Sequence, residues 1–153
     1  MVRPLRPSPL YRKTMTLTEQ RPPQAHDAQR LRCFIVEDSP VILRDLKDTL
    51  QQMAPVDVVG SATDELSAIG WLDSHQGQCD VLIVDMLLKN GTGLGVLEHL
   101  QRQGRAPLHK VVLTNYAVPV IRYRCNELGA TQVFDKSSEL ESLINYCATL
   151  TQG

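Results

Sequence analysis

Five polar residues of this 153-residue chain each stand at the C-terminal end of a short apolar run. Glu37 and Asp38 follow Arg32-Cys33-Phe34-Ile35-Val36, Asp85 follows Val81-Leu82-Ile83-Val84, Thr114 follows Val111-Val112-Leu113, and Lys136 comes after Gln132-Val133-Phe134-Asp135. If these runs are strands of one open parallel sheet, their carboxyl ends share one edge, and the crevice outside that edge is where such sheets bind ligands. Three carboxylates crowded there repel one another, so they require either raised pKa values or a cation. Mg²⁺ fits best, because it takes oxygen ligands, usually one or two carboxylates with waters and phosphate oxygens. With the ion bound, Asp85 is a candidate nucleophile toward phosphorus. The metal and Lys136 would balance charge on the transferring group from two sides, and Thr114 is left to hydrogen-bond a phosphoryl oxygen. The same set could help water remove the group again.

The elements that must position these residues alternate between strand-like and helix-like patterns after residue 30, which predicts an α/β fold: a doubly wound five-stranded parallel sheet with helices on both faces. Ser39-Pro40 reads as an N-cap with proline at the first helical position, followed by an apolar face of Val41, Ile42, Leu46, Leu50 and Met53. A second strand is expected over Val56 to Ser61, and a second helix over Asp64 to His75 with Leu66, Ile69 and Leu72 inward and Trp71 at its edge. A third helix begins after Asn90-Gly91-Thr92-Gly93 and carries Leu94, Leu97 and Leu100. Pro119 opens the fourth, and Ser137 or Ser138 caps a fifth with Leu140, Leu143, Ile144 and Cys147 as its buried stripe.

Composition bounds the function classes. No apolar run approaches the roughly 18 residues of a membrane span, and Met1-Val2-Arg3-Pro4 leads into no apolar h-region, so a cytoplasmic protein without membrane contact is expected. Cys33, Cys79, Cys125 and Cys147 form no C-x-x-C pair and read as buried single thiols, and the four histidines lack metal-ligand spacing. Residues 1–32 hold seven basic side chains against Glu19 and Asp27, a balance of +5, so with −1 for the whole chain the rest carries −6. With five prolines and no sustained apolar period, residues 1–30 read as a flexible basic tail and 31–153 as the folded domain. The charges are scattered and only Tyr11 accompanies them, so nucleic acid is not the expected partner. Either Met1 or Met15 could be the start.

Gly91-x-Gly93-x-Gly95 faintly resembles a dinucleotide fingerprint but lacks the G-x-G-x-x-G spacing, and a turn is the better account. No G-x-x-x-x-G-K-[ST] occurs, so a P-loop nucleotide triphosphatase is not expected.

Taken in order, Glu37-Asp38, Asp85, Thr114 and Lys136 resemble the active-site set of the receiver domains of two-component response regulators, over roughly Leu31 to Leu150. The resemblance implies the flavodoxin-like receiver fold, Mg²⁺ as cofactor, and phosphorylation of Asp85 by a sensor histidine kinase or histidine phosphotransfer protein. It also implies metal ligation by Glu37, Asp38, Asp85 and the backbone carbonyl of Leu87, with Thr114 and Lys136 reading out the new charge. Gly93 matches a glycine common in that family. A free-standing receiver of this kind would be a phosphoacceptor and no enzyme in the ordinary sense, its output a contact with a downstream protein that the sequence does not name.

Several positions depart from the family pattern. Lys89 and Ser137 stand where prolines are common, and Asn115 where a small residue is usual. Val133 occupies the place of an aromatic switch residue, with Phe134 one position later. In the family, the residues matching Leu87 and Tyr116 tune hydrolysis, and the apolar Leu87 leads us to expect slow self-dephosphorylation. The default output face, formed by the fourth helix, fifth strand and fifth helix, would include Tyr116, Arg122, Tyr123 and Arg124. Two alternatives stay open: a phosphorylation-independent adaptor with a receiver fold, and a Mg²⁺-dependent hydrolase of the haloacid dehalogenase type, against which Asp85-Met86-Leu87 lacks the second acid of D-x-D.

Overall fold

The computed structural model describes residues 30–104 and 109–151. The basic tail expected over residues 1–30 lies outside these, apart from Arg30. Five strands alternate with five helices: β1 (Leu31–Val36), α1 (Pro40–Met53), β2 (Val56–Ala62), α2 (Glu65–Ser74), β3 (Val81–Val84), α3 (Gly93–Arg102), β4 (His109–Thr114), α4 (Pro119–Glu127), β5 (Gln132–Asp135) and α5 (Leu140–Leu150). All pairings are parallel, in the order β2-β1-β3-β4-β5. The order reverses between β1 and β3, so a crevice opens beyond their C-terminal ends, at Glu37 and Asp85.

Strand side chains alternate between two cores. Phe34, Val36, Leu82, Val84 and Val112 pack against α2, α3 and α4. Cys33, Ile35, Val81, Ile83, Val111 and Leu113 pack against α1 and α5. Burial on both faces explains why β1, β3 and β4 read as nearly unbroken apolar runs. Lys110 is an exception: it is buried in β4, and loss of hydration there lowers its pKa. β2 carries a bulge opposite Cys33 and Phe34, where Val58 and Gly60 take successive partners and Val59 is skipped.

Helix boundaries follow the expected signals closely. Ser39 accepts from the Ile42 amide with Pro40 at the first helical position, Asp64 caps α2 through Ser67, and Thr92 caps α3 through Gly95. Three expectations are corrected. In α1 only Leu46 and Leu50 are fully buried, while Val41, Ile42 and Met53 are exposed. In α2 Leu66 faces outward at 80% exposure, and Ala68 and Leu72 form the inner stripe. The cause is Trp71, which lies flat on Phe34 with ring centroids 4.1 Å apart and sets the rotation of the helix. His75 stacks on the same indole, also at 4.1 Å. Finally, neither Ser137 nor Ser138 caps α5, which starts at Leu140 after Glu139. Asp135 instead accepts from the Ser137 amide and hydroxyl, and this local turn uses residues 136–138 before the helix can start.

All four cysteines are free, as expected, although Cys79 is only partly buried. Burial pushes the thiol pKa of Cys79 up to about 12 and that of Cys147 up to about 11. No helix among the described residues is long and apolar enough to cross a membrane.

Candidate functional site

Glu37 leaves the end of β1 with its amide bonded to the Ala62 carbonyl of β2, and Asp85 leaves β3 with its amide bonded to the Val36 carbonyl. The sheet's own hydrogen-bond ladder therefore sets both carboxylates side by side. Lys136, beyond β5, reaches back over them. Its Nζ donates to Asp85 Oδ2 at 2.6 Å and to Glu37 Oε1 at 2.7 Å. The side chains are 13% exposed for Lys136, 12% for Asp85 and 3% for Glu37. Burial works against the ammonium charge, but the hydrogen bonds and charges of Asp85 and Glu37 outweigh it and hold the Lys136 pKa above its ordinary value.

Glu37 is fully engaged, since its Oε2 accepts from the Ser39 amide at 3.1 Å. Thr114 is buried at the end of β4, and its carbonyl accepts from the Lys136 amide at 2.8 Å, which ties the two strand ends together. Its hydroxyl accepts from the Tyr116 amide at 3.2 Å and makes no described contact with Asp85. Asp38 is half-buried beside Glu37, and Leu87 is exposed. The structure thus brings Glu37, Asp85 and Lys136 into direct contact, seats Thr114 next to them through the backbone, and leaves Asp38 and Leu87 at the rim.

Among the described residues no three His, Cys, Asp or Glu side chains form a metal-enclosing cluster. The ammonium of Lys136 stands between two of the carboxylates expected to do so. The donors still suit Mg²⁺, which uses only one or two carboxylates. The described hydrogen bonds engage Asp85 through Oδ2 and leave Oδ1 open, with Asp38 nearby in sequence and the Leu87 carbonyl two residues on.

Glu65 is absent from the sequence reading, which names Arg122 only as part of the default output face. Arg122 is half-buried and not simply part of a solvated helix face: Nε donates to the Ala117 carbonyl at 2.9 Å, Nη1 to the Val133 carbonyl at 2.7 Å and Nη2 to Glu139 Oε1 at 2.9 Å. Glu65 reaches from α2 to the Thr92 amide at 2.9 Å. The contacts of Arg122 with Val133 and Glu139 and of Glu65 with Thr92 join residues well apart in sequence, and the one available signal for Glu65 was the glycine pattern opposite it, which read only as a turn.

The model of the response regulator receiver domain matches residues 33–148. Over 115 residues the chain is 26% identical to protein-glutamate methylesterase/protein-glutamine glutaminase 2 of Koribacter versatilis, covering 74% of this chain and 31% of that protein. Over 120 residues it is 29% identical to the transcriptional regulatory protein DesR of Bacillus subtilis, covering 78% of this chain and 58% of that protein. It therefore spans about a third of the first relative and somewhat over half of the second. Among solved structures, the isolated receiver domain of RcsB from Salmonella enterica serovar Typhimurium, in the presence of the phosphomimetic BeF3-, is similar with a TM-score of 0.70 at 26% identity, covering 81% of this chain and 90% of that one. A match over most of the chain, joined to the five-stranded parallel sheet with helices on both faces, shows that the chain belongs to the response regulator receiver domains of two-component systems.

Proposed function

We propose that Asp85 accepts a phosphoryl group from a phosphohistidine on a sensor histidine kinase or histidine phosphotransfer protein, and that the protein signals through contacts with a downstream protein. The observation that carries this reading is the Lys136 ammonium held at 2.6 Å from Asp85 Oδ2, a fixed positive charge beside the oxygen atoms that would attack phosphorus. An Asp85 oxygen forms the new bond to phosphorus, the bond from phosphorus to the histidine nitrogen breaks, and the departing imidazole keeps the electron pair and takes up a proton from water.

Asp38, Asp85 and the Leu87 carbonyl would hold Mg²⁺, with Glu37 contributing through its charge because Lys136 and Ser39 engage its oxygens. When bound, the ion supplies positive charge toward the phosphoryl oxygens. Lys136 follows the new charge on Asp85, and the Thr114 hydroxyl, which accepts from the Tyr116 amide, donates its own proton to a phosphoryl oxygen. Adding about two negative charges at Asp85 in this way shifts a two-state equilibrium. The reaction is a single transfer with self-hydrolysis, in a protein we place in the cytoplasm.

The test is incubation of the purified protein with acetyl phosphate or beryllofluoride, with and without Mg²⁺, followed by intact mass and mapping beside Asp85→Asn. A Mg²⁺-dependent adduct on Asp85 that the variant loses is expected. No adduct with either reagent would overturn phosphoacceptance and favour the phosphorylation-independent adaptor.

A further inference from the structure

The turn that follows Asp85 is held by a residue from another helix. Glu65, the first residue of α2, donates its amide to the Asn90 carbonyl at 3.0 Å and accepts the Thr92 amide on Oε1 at 2.9 Å. Gly91 in the loop and Gly95 in the first turn of α3 make room for it. A Cβ at Gly91, where φ is +89°, would collide with the Glu65 side chain, and a Cβ at Gly95 would collide with its carboxylate. Gly93 has a different neighbour, since a Cβ there would strike the carbonyl of Asp85 itself. The spacing Gly91-x-Gly93-x-Gly95 is therefore a seat for one carboxylate and for the backbone of the candidate phosphoacceptor.

Leu87 and Thr92 face each other in an isolated antiparallel bridge, and the Gly93 amide donates to the Met86 carbonyl at 2.9 Å. This makes Leu87 and Thr92 the pair whose own main-chain groups point away from each other. The Thr92 amide points out toward Glu65, and the Leu87 carbonyl points out of the turn on its own strand. The grip of Glu65 on one side of this small ladder fixes the plane of the other.

We propose that Glu65 is a positioning residue for the aspartyl site: by holding the Thr92 amide it fixes the Leu87–Thr92 turn and so the aim of the Leu87 carbonyl toward the metal. The proposal rests on reading Asp85 as a phosphoacceptor served by Mg²⁺. The described contacts of Glu65 are with the backbone of the turn, and it would act only through that turn.

The test compares the full chain with Glu65→Ala, Glu65→Gln and Gly95→Ala by titration calorimetry with Mg²⁺ alone, hydrogen exchange of the Thr92 amide, the rate of Asp85 adduct formation from acetyl phosphate, and thermal midpoint. Glu65→Ala is expected to speed Thr92 exchange, to weaken Mg²⁺ affinity by roughly tenfold or more, as loss of an outer-shell support does, and to slow adduct formation. Gly95→Ala displaces the carboxylate and should do the same, with no further loss when combined with Glu65→Ala. Glu65→Gln retains an acceptor oxygen and should remain near wild type. Wild-type Mg²⁺ affinity and adduct rate in Glu65→Ala, or a deficit equally large in Glu65→Gln that only tracks a lower thermal midpoint, would overturn the proposal while leaving Asp85 as phosphoacceptor. A wild-type protein that forms no adduct would overturn the reading of Asp85 and this proposal with it. If Glu65→Ala does not fold, Gly95→Ala decides the matter alone.

Discussion

Arg122 and Glu139 form an ion pair of 2.9 Å that joins α4 to the start of α5, and Glu139 Oε1 also accepts the Asp135 amide at 2.7 Å. Together with the contacts of Arg122 to Ala117 and Val133, the pair ties the segments that follow Thr114 and precede Lys136. Arg122→Ala leaves two carbonyls to find water and should destabilise the fold by about 1–2 kcal/mol. Chemical denaturation measures this, and a variant as stable as wild type would mean the contacts contribute nothing.

Lys136→Met leaves Glu37 and Asp85 adjacent, largely buried and without their cation. Removing one partner of such a group costs about 3 kcal/mol at this degree of burial. The wild-type pH dependence has a definite sign. Because the folded pKa of Lys136 lies above its ordinary 10.5, the stabilisation is complete below that value and is lost as pH rises through the folded pKa. Urea midpoints recorded without Mg²⁺ between neutral and strongly alkaline pH should fall in wild type and fall less in the variant.

At the opposite end of the sheet, Arg32 donates through Nε and Nη2 to both oxygens of Asp80, at 3.1 and 3.0 Å. The hydrogen bond from Arg32 is the main cause that holds the Asp80 pKa below its ordinary 3.8. The contribution is present above that value and is lost as pH falls through the folded pKa. Asp80→Asn should lower stability at neutral pH and flatten the acid limb of a thermal-midpoint profile, and a limb of unchanged steepness would count against the assignment.

Gly60→Ala places a Cβ 2.8 Å from the Trp71 ring. Phe34 and His75 both stack on the indole and oppose its retreat. Overpacking of this kind costs about 1–3 kcal/mol. The chain has a single tryptophan, so intrinsic fluorescence reports the disturbance directly, and an unchanged spectrum with unchanged stability would show that the stack yields easily.

Leu87 and Tyr116 are both exposed at the rim of the site. An apolar side chain at position 87 offers no group to orient water, so Leu87→Asn should shorten the lifetime of the phosphorylated protein. Decay of the Asp85 adduct, followed for both proteins after removal of phosphodonor, decides it, and equal or slower decay in the variant would refute the expectation.

The residues at the strand ends were legible because each terminates an apolar run, and parallel pairing brings such ends to one edge. Glu37, Asp85 and Lys136 meet for that reason although they are far apart in sequence. Helix faces were less legible: Leu66 fits an apolar period as well as Trp71 does, and only packing against Phe34 chooses between them. The grip of Glu65 on Thr92 and the reach of Arg122 to Val133 depend on side-chain direction after the helices dock, which no local spacing records. The engagement of Glu37 by Lys136 was missed because the reading placed a metal among carboxylates that an ammonium already pairs.

Among the described residues β5 is the last strand of its sheet, a position where unpaired main-chain groups invite a strand from another molecule. Alternate residues along a strand present their groups to the same side, so the Val133 carbonyl and the Asp135 amide both face outward from the sheet. Arg122 takes the first and Glu139 the second. An incoming strand would have to displace both of these hydrogen bonds before it could pair here, so the same two side chains that brace the site also stand in the way of sheet extension at this border.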